Sequence, residues 1–399
     1  MTRPRRALLA WEFGAGRTHV LQILGLARHL REAGVECLAA LYEPSLRDEF
    51  AAIGVPVIQT YVWPGRRRLA AGWHEGEVRA FGDVLVHLGM TFPGALGAAL
   101  THYDGVFALF QPDVVLGDNA PGALLAARGR VPAIAFGTNA TLPPVRDGRF
   151  ALRPDTQAEA AMFDERDIRD ALNVELGAAG RPCLSELTDL LPAGSIYPFG
   201  PPAFDTYAAQ RETPALPPYL AGFERPTRYE RGEGVFAYLH GFVQGASAIL
   251  DGLSDAQRAT TLYLPGLMPA VRERLGPAIR VSDRALPQAW ILSGPRCVLH
   301  HGGLQLTTAC LAAGRPQVIL AKELDNEIAG RFVGERGLGF ACHVTQADAA
   351  FVREAVRAAH DDDLLAARCR EAAAEFLVWT RPDPTRIVAD AARRLLQRP

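Results

Sequence analysis

The chain has 399 residues, a formal net charge of −2, 49% hydrophobic and 22% charged residues, a length too great for one ordinary core and suited to two domains. So small a net charge excludes the electrostatic pull toward nucleic acid or anionic membrane that a basic chain would have. Six scattered cysteines without a Cys-x-x-Cys pair, no apolar run near the roughly twenty residues of a membrane span, and only a short apolar run after Arg6 predict a cytoplasmic protein with reduced thiols and no integral membrane association.

Short apolar runs alternate with helical patterns along most of the chain, the arrangement of parallel strands joined by crossover helices. In the first half the spacing predicts strands over 7–13, 35–41, 55–60, 113–118 and 133–137. The first strand is followed by Gly14-Ala-Gly16-Arg-Thr-His19 and a helix over 20–33 whose Ile23, Leu26, Ala27 and Leu30 form one apolar face, with Gly34 as its stop. His19 is thereby set at a helix entrance above a strand's C-terminal end, where doubly wound sheets build their sites. On position alone it serves equally well as a helix cap. Aromatic residues gather between 61 and 110, among them Trp63, Trp73, Phe81, Phe92 and Tyr103, either as the wall of an apolar cleft or as ordinary core.

From Tyr197-Pro-Phe-Gly-Pro-Pro-Ala-Phe204 to Pro226 the periodicity breaks for about thirty residues, the composition of an interdomain connection. This divides the chain into a first domain over 1–205, a linker over 206–231 and a second domain over 232–380. Strands are predicted again over 235–240, 261–264, 279–281, 297–301, 318–320 and 339–342, giving a second doubly wound α/β sheet.

The segment from Cys297 to Pro316 carries the most chemistry. It reads as a strand ending in His300 and His301, a turn at Gly302 and Gly303, and a helix closed by Gly314 and Pro316. Free amides at such a helix start, with the helix dipole behind them, suit a phosphate-bearing ligand. Adjacent histidines on a strand point to opposite faces and cannot chelate one ion together, so one of them is structural. The run Asp361-Asp-Asp363 reads as a solvated helix start, and no metal site is expected.

His301-Gly-Gly, with Gly314-x-Pro316 beyond, resembles the nucleotide-sugar motif of the GT-B glycosyltransferases, in particular the family-one enzymes that glycosylate lipids, antibiotics and other small aglycones. The stretch from His19 to Ala27, with Leu30 and Gly34, aligns with the segment holding that family's general base, and Asp325-Asn326 before Gly337-x-Gly339 resembles its sugar-binding stretch. The resemblance implies two Rossmann-like domains facing across a cleft, with the last helix, 384–397, long enough to return to the first domain. It further implies that His19, its tautomer fixed by Asp118, is the base; that His301, Gly302, Gly303, Leu304 and Gln305 hold the donor diphosphate; and that Asp325 and Asn326 hold the hexose. His240 and Gly241 fit the loop ahead of the phosphates, and Ala285, Leu286 and Gln288 the place of the nucleobase. Trp63, Trp73, Phe81 and Phe92 would line the acceptor side. Ala285, Leu306 and Ala309 depart from the family pattern at an aromatic, a hydroxyl and a glutamate position. The implied activity is inverting, metal-independent transfer of a hexose from a UDP- or TDP-sugar co-substrate, without a cofactor, to a hydroxyl of a small apolar natural product or lipid. A nucleotide-sugar 2-epimerase of the same fold and a catalytically degenerate helper protein are the alternatives.

Overall fold

A computed structural model describes residues 3–14, 17–44, 46–65, 78–154, 161–223, 233–240, 246–322 and 324–397. Chain contacts separate two compact units, Met1–Ala221 with Asp383–Pro399, and Gly222–Pro382.

In the first unit six strands form one parallel sheet: β1 (Arg6–Trp11), β2 (Glu36–Leu41), β3 (Val57–Gln59), β4 (Val114–Asp118), β5 (Ala133–Thr138) and, after a small antiparallel pair of β6 (Val145–Arg146) with β7 (Arg149–Phe150), β8 (Ile196–Phe199). The order is β3-β2-β1-β4-β5-β8. Both faces are covered, so successive β1 residues feed different cores. Leu8 and Ala10 belong to one cluster with Trp63, Phe81 and Leu100; Ala7, Leu9 and Trp11 belong to another with Ile23, Leu26 and Leu30 of the helix Arg17–Glu32. The terminal helix Pro384–Leu396 adds Val388, Ala389, Ala392 and Leu396 to that second core. Its apolar stripe therefore completes the face opened by Arg17–Glu32.

One expectation needs correcting. The stretch after Tyr197 does not begin as a connector, because Ile196–Phe199 is the sheet's edge strand, with Ala135 in register with Ile196 and Gly137 with Pro198. Proline is tolerated on an edge strand, and the outer side is met by Leu216, whose N–H donates to the Pro198 carbonyl at 2.8 Å. Of the stretch read as a linker, 206–221 clusters with the first unit. There Arg211 pairs with Asp205 at 2.5 Å and donates to the carbonyls of Asn139 and Leu142.

The second unit repeats the plan with β9 (Val235–Tyr238), β10 (Thr260–Tyr263), β11 (Ile279–Ser282), β12 (Cys297–His300), β13 (Gln317–Ala321) and β14 (Gly339–His343), in the order β11-β10-β9-β12-β13-β14. Both halves are Rossmann-like. In each, the first strand lies beside the fourth, and crossovers from these two neighbours leave in opposite directions. The gap beyond their C-terminal ends is the topological switch point, where this kind of sheet receives ligands. Among the described residues no helix is long and apolar enough to cross a membrane, and no three His, Cys, Asp or Glu side chains form a metal site.

Candidate functional site

At the first unit's switch point β1 ends in Trp11 and β4 in Asp118, paired in register. His19 is the third residue of the helix Arg17–Glu32, and its Nδ1 lies 2.9 Å from Asp118 Oδ2. A carboxylate oxygen accepts, so Nδ1–H donates, and in the neutral imidazole Nε2 is the nitrogen that carries the lone pair. That nitrogen lies over Gly14, whose φ of +102° excludes most side chains and where a Cβ would sit 2.5 Å from Nε2. Asp118 is fully buried. Its second oxygen, Oδ1, has no hydrogen-bond partner among the described residues, and a Cβ on Gly137 (φ +143°) would stand 2.6 Å from it. The pair is thus a buried carboxylate holding the imidazole by Nδ1, with Nε2 left beside Gly14.

At the second unit's switch point β9 runs into His240 and β12 into His301. The two histidines after Leu299 take opposite tautomers. Gly302 N–H donates to His300 Nδ1 at 3.0 Å, so His300 Nε2–H donates to Gln317 Oε1 at 2.9 Å. His301 Nδ1–H donates to the Leu320 carbonyl at 2.9 Å, and its Nε2 accepts the His240 N–H at 3.3 Å. Burial is the first cause that pushes both down from the usual imidazole value, His300 to about 4 and His301 to about 3, with His240 and Lys322 lowering His301 further. Both rings are neutral parts of the scaffold. Each histidine has both nitrogens used inside the unit, so the structural role expected of one of them fits both.

Gly302, at φ +84°, makes the turn, and a Cβ there would meet Ile319 at 2.8 Å and the Asn326 carbonyl at 3.0 Å. Beyond it, Gly303 is exposed with open space above, and the helix Leu304–Ala312 begins. Thr307 is the residue whose N–H reaches the Gly303 carbonyl, so the amides of Leu304 and Gln305 precede the closed helical ladder. Gln305 Nε2 is buried without a partner among the described residues. Asn326, 8% exposed, lies beside the turn, its Cβ 3.3 Å from where a Cβ on Gly302 would stand, while Asp325 Oδ1 accepts from the Asn326 N–H at 3.0 Å. Lys322 Nζ donates to the His240 carbonyl at 3.4 Å. His240, His301, Gly302 and Asn326 therefore share one strand edge. Ala285, Leu286 and Gln288 follow β11 at the same C-terminal edge but two strands beyond β9.

The proposed acceptor aromatics divide. Trp63 is 1% exposed and belongs to the core, its Nε1–H donating to Glu12 Oε2 at 2.7 Å, which corrects the expectation that it lines a cleft. Phe81 is also a core side chain, edge-on to Phe150, although it borders a small apolar recess with Phe13, Asn119, Thr141 and Leu142. Phe92 is half-buried against the same core. Trp73 and Gly241 lie outside the described residues.

Residues 249–393 match the family described as erythromycin biosynthesis protein CIII-like, C-terminal domain. The elloramycin glycosyltransferase ElmGT of Streptomyces olivaceus is 28% identical over 343 residues, covering 82% of this chain and 84% of the relative. Among solved structures, the calicheamicin glycosyltransferase CalG4 superposes with a TM-score of 0.67 at 21% identity over 100% of this chain and 99% of its own. The glycosyltransferase VinC in complex with DTDP does so with 0.65 at 17% identity, over 98% and 100%. The chain has the GT-B fold and resembles the glycosyltransferases of natural-product biosynthesis.

Sequence reasoning missed several residues of this site. Trp11 read as plain strand core, yet its indole stacks on His19 with centroids 5.1 Å apart and planes 15° from parallel. Glu12 was passed over, although a charge closing the apolar run Ala7-Leu-Leu-Ala-Trp11 was a usable signal, since a carboxylate at a buried strand end must find donors. Gly137 carried no signal, because its need for φ +143° beside Asp118 arises only once β4 and β5 are paired.

Proposed function

We propose that this glycosyltransferase transfers a hexose with inversion, and without a metal ion, from a TDP- or UDP-sugar to a hydroxyl of a small, largely apolar acceptor. The observation that carries the reading is the His19–Asp118 pair, 2.9 Å apart, with the imidazole's second nitrogen over Gly14. An acceptor O–H at that nitrogen would pass its proton to His19 as its oxygen attacks the anomeric carbon, and Asp118 would offset the imidazolium charge. One displacement of this kind inverts the sugar. The departing diphosphate needs charge stabilisation, which the amides of the Gly303–Leu304 helix start supply, with Gln305 Nε2 beside them.

On this reading Asp325 and Asn326 bind the hexose, and Ala285, Leu286 and Gln288 the nucleobase. The DTDP held by VinC, a structural neighbour, favours a thymidine donor as the first to try. A degenerate helper protein would have no use for a buried carboxylate fixing one tautomer of an open imidazole. A 2-epimerase would act without any acceptor.

The test is transfer from TDP-glucose and UDP-glucose to a panel of hydroxylated aromatic polyketides, with and without His19→Ala. Turnover should fall about a hundredfold or more in the variant while TDP affinity changes less than about twofold. Product that retains the donor's anomeric configuration, or unchanged turnover in the variant, would overturn the proposal. Epimerised donor in reactions without acceptor would favour the alternative.

A further inference from the structure

We infer that the neighbouring residues Trp11 and Glu12, where β1 ends, are a positioning pair for the His19–Asp118 unit: Trp11 fixes the imidazole, and Glu12 fixes the turn that carries the carboxylate. This rests on the reading of His19 as the base.

Successive side chains at a strand end point to opposite faces of the sheet, and here Trp11 lies on the face that holds the dyad while Glu12, on the other, reaches the turn that follows Asp118. Trp11 points toward the helix Arg17–Glu32. It is fully buried, its Nε1–H donates to the Phe13 carbonyl at 2.6 Å, and Tyr42 meets it edge-on at 5.8 Å, so the indole has no freedom to turn. His19 stacks flat on that fixed plane, and the Asp118 bond fixes its rotation within the plane. The two contacts leave the imidazole one orientation, the one with Nε2 over Gly14. An indole face also attracts a cation, so the stack favours the ring once it has taken a proton.

Glu12 points the other way and is likewise fully buried. Its carboxylate accepts four hydrogen bonds: from Tyr103 Oη–H at 2.6 Å, Trp63 Nε1–H at 2.7 Å, Ala123 N–H at 2.7 Å and Gly122 N–H at 2.9 Å. The last two begin the helix Pro121–Ala127, three residues after Asp118. Meanwhile the backbone N–H groups of Glu12 and Phe13 both donate to the Asn119 carbonyl, at 3.2 and 3.3 Å. The turn bearing Asp118 is therefore clamped to the end of β1 by backbone before the bend and by a carboxylate after it. Gly122 admits the clamp, since a Cβ there would stand 3.0 Å from Glu12 Oε1 and from Trp63. Desolvating a carboxylate is costly, and an apolar side chain would fill the site at least as favourably. What the carboxylate adds is direction: four donors on three segments can satisfy it only in one arrangement.

The primary test needs no substrate. In protein labelled with nitrogen-15 at histidine, with the His19 signals assigned by their loss in His19→Gln, the wild type should show one tautomer, protonated at Nδ1. Trp11→Leu and Glu12→Gln should each show both tautomers, and turnover should fall about tenfold or more with TDP affinity within about twofold of wild type. Turnover is read on the donor and acceptor that the wild type uses, or on hydrolysis of TDP-glucose, in which water takes the acceptor's place. Trp11→Phe, which keeps a stacking face, should recover most of the rate. Tyr103→Phe, which removes one donor without touching the dyad, should fall between wild type and Glu12→Gln, and these two milder variants carry the test if the others do not fold. A single Nδ1–H tautomer and wild-type turnover in the folded variants would overturn the positioning role. Full turnover in His19→Ala would instead overturn the base assignment beneath it.

Discussion

At the first switch point His19 gives one nitrogen to a buried carboxylate and leaves the other open over Gly14, whereas at the second His300 and His301 have both nitrogens engaged within the unit. The same strand order and the same residue type thus yield two different devices. A group that must gain a proton needs a free lone pair and a counter-charge. A group that shapes a cradle must stay neutral and immobile, and burial without a carboxylate achieves that. The difference lies in what the neighbouring strand contributes: β4 ends in Asp118, while β13 offers the Gln317 amide and the Leu320 carbonyl.

Breaking the first device should have the largest effect. Beyond the loss expected for His19→Ala, Asp118→Asn keeps the shape but removes the charge that offsets the imidazolium, and its amide NH2 can face the Nδ1–H it should accept from. Turnover should drop by about tenfold to a hundredfold, with TDP affinity unchanged. Equal loss of TDP affinity would mean that the substitution damages more than the dyad.

The second device is best broken at its turn. Gly302→Ala places a side chain at φ +84° and drives a Cβ toward Ile319 and the Asn326 carbonyl. We expect TDP affinity to fall about tenfold and stability to fall by about 1–3 kcal/mol, while the His19 tautomer stays as in wild type. Calorimetric titration with TDP and histidine NMR on the same sample separate the two, and a shifted His19 signal would break the comparison.

Much of this was legible from the chain alone. All eleven strands predicted by apolar runs differ from the structure by no more than two residues at either end, because a parallel strand buried on both faces must be continuously apolar. β8 was not legible, since Pro198 and the surrounding glycine and prolines carry turn signals that edge pairing overrides. The His19–Asp118 geometry was foreshadowed by two strand ends. Glu12 as a four-bond hub was not, because its partners Trp63, Tyr103 and Gly122 lie between 51 and 110 positions away and no local pattern links them. Trp63 was misassigned for the same reason: an aromatic residue in an insertion looks the same whether it faces a ligand or a buried carboxylate.

The smallest effect sharpens the neutral side of the comparison. His300 sits at about 4 when folded against a usual imidazole value of 6.5. Its folded-state value is depressed, so the unfolded chain binds the extra proton between these limits and the folded chain does not. The stability associated with a neutral His300 is therefore whole above pH 6.5 and is lost as the pH falls from there toward 4. His301, at about 3, acts in the same direction. Many carboxylates also titrate on this path, so the informative quantity is a difference between proteins. His300→Gln has no proton to take up, and its thermal midpoint should fall less steeply between pH 7.5 and pH 5 than that of the wild type, by about 2 to 4 °C over the interval. Parallel slopes would mean that His300 already carries its proton in the folded chain, and the contrast between an open and a committed imidazole would then not hold.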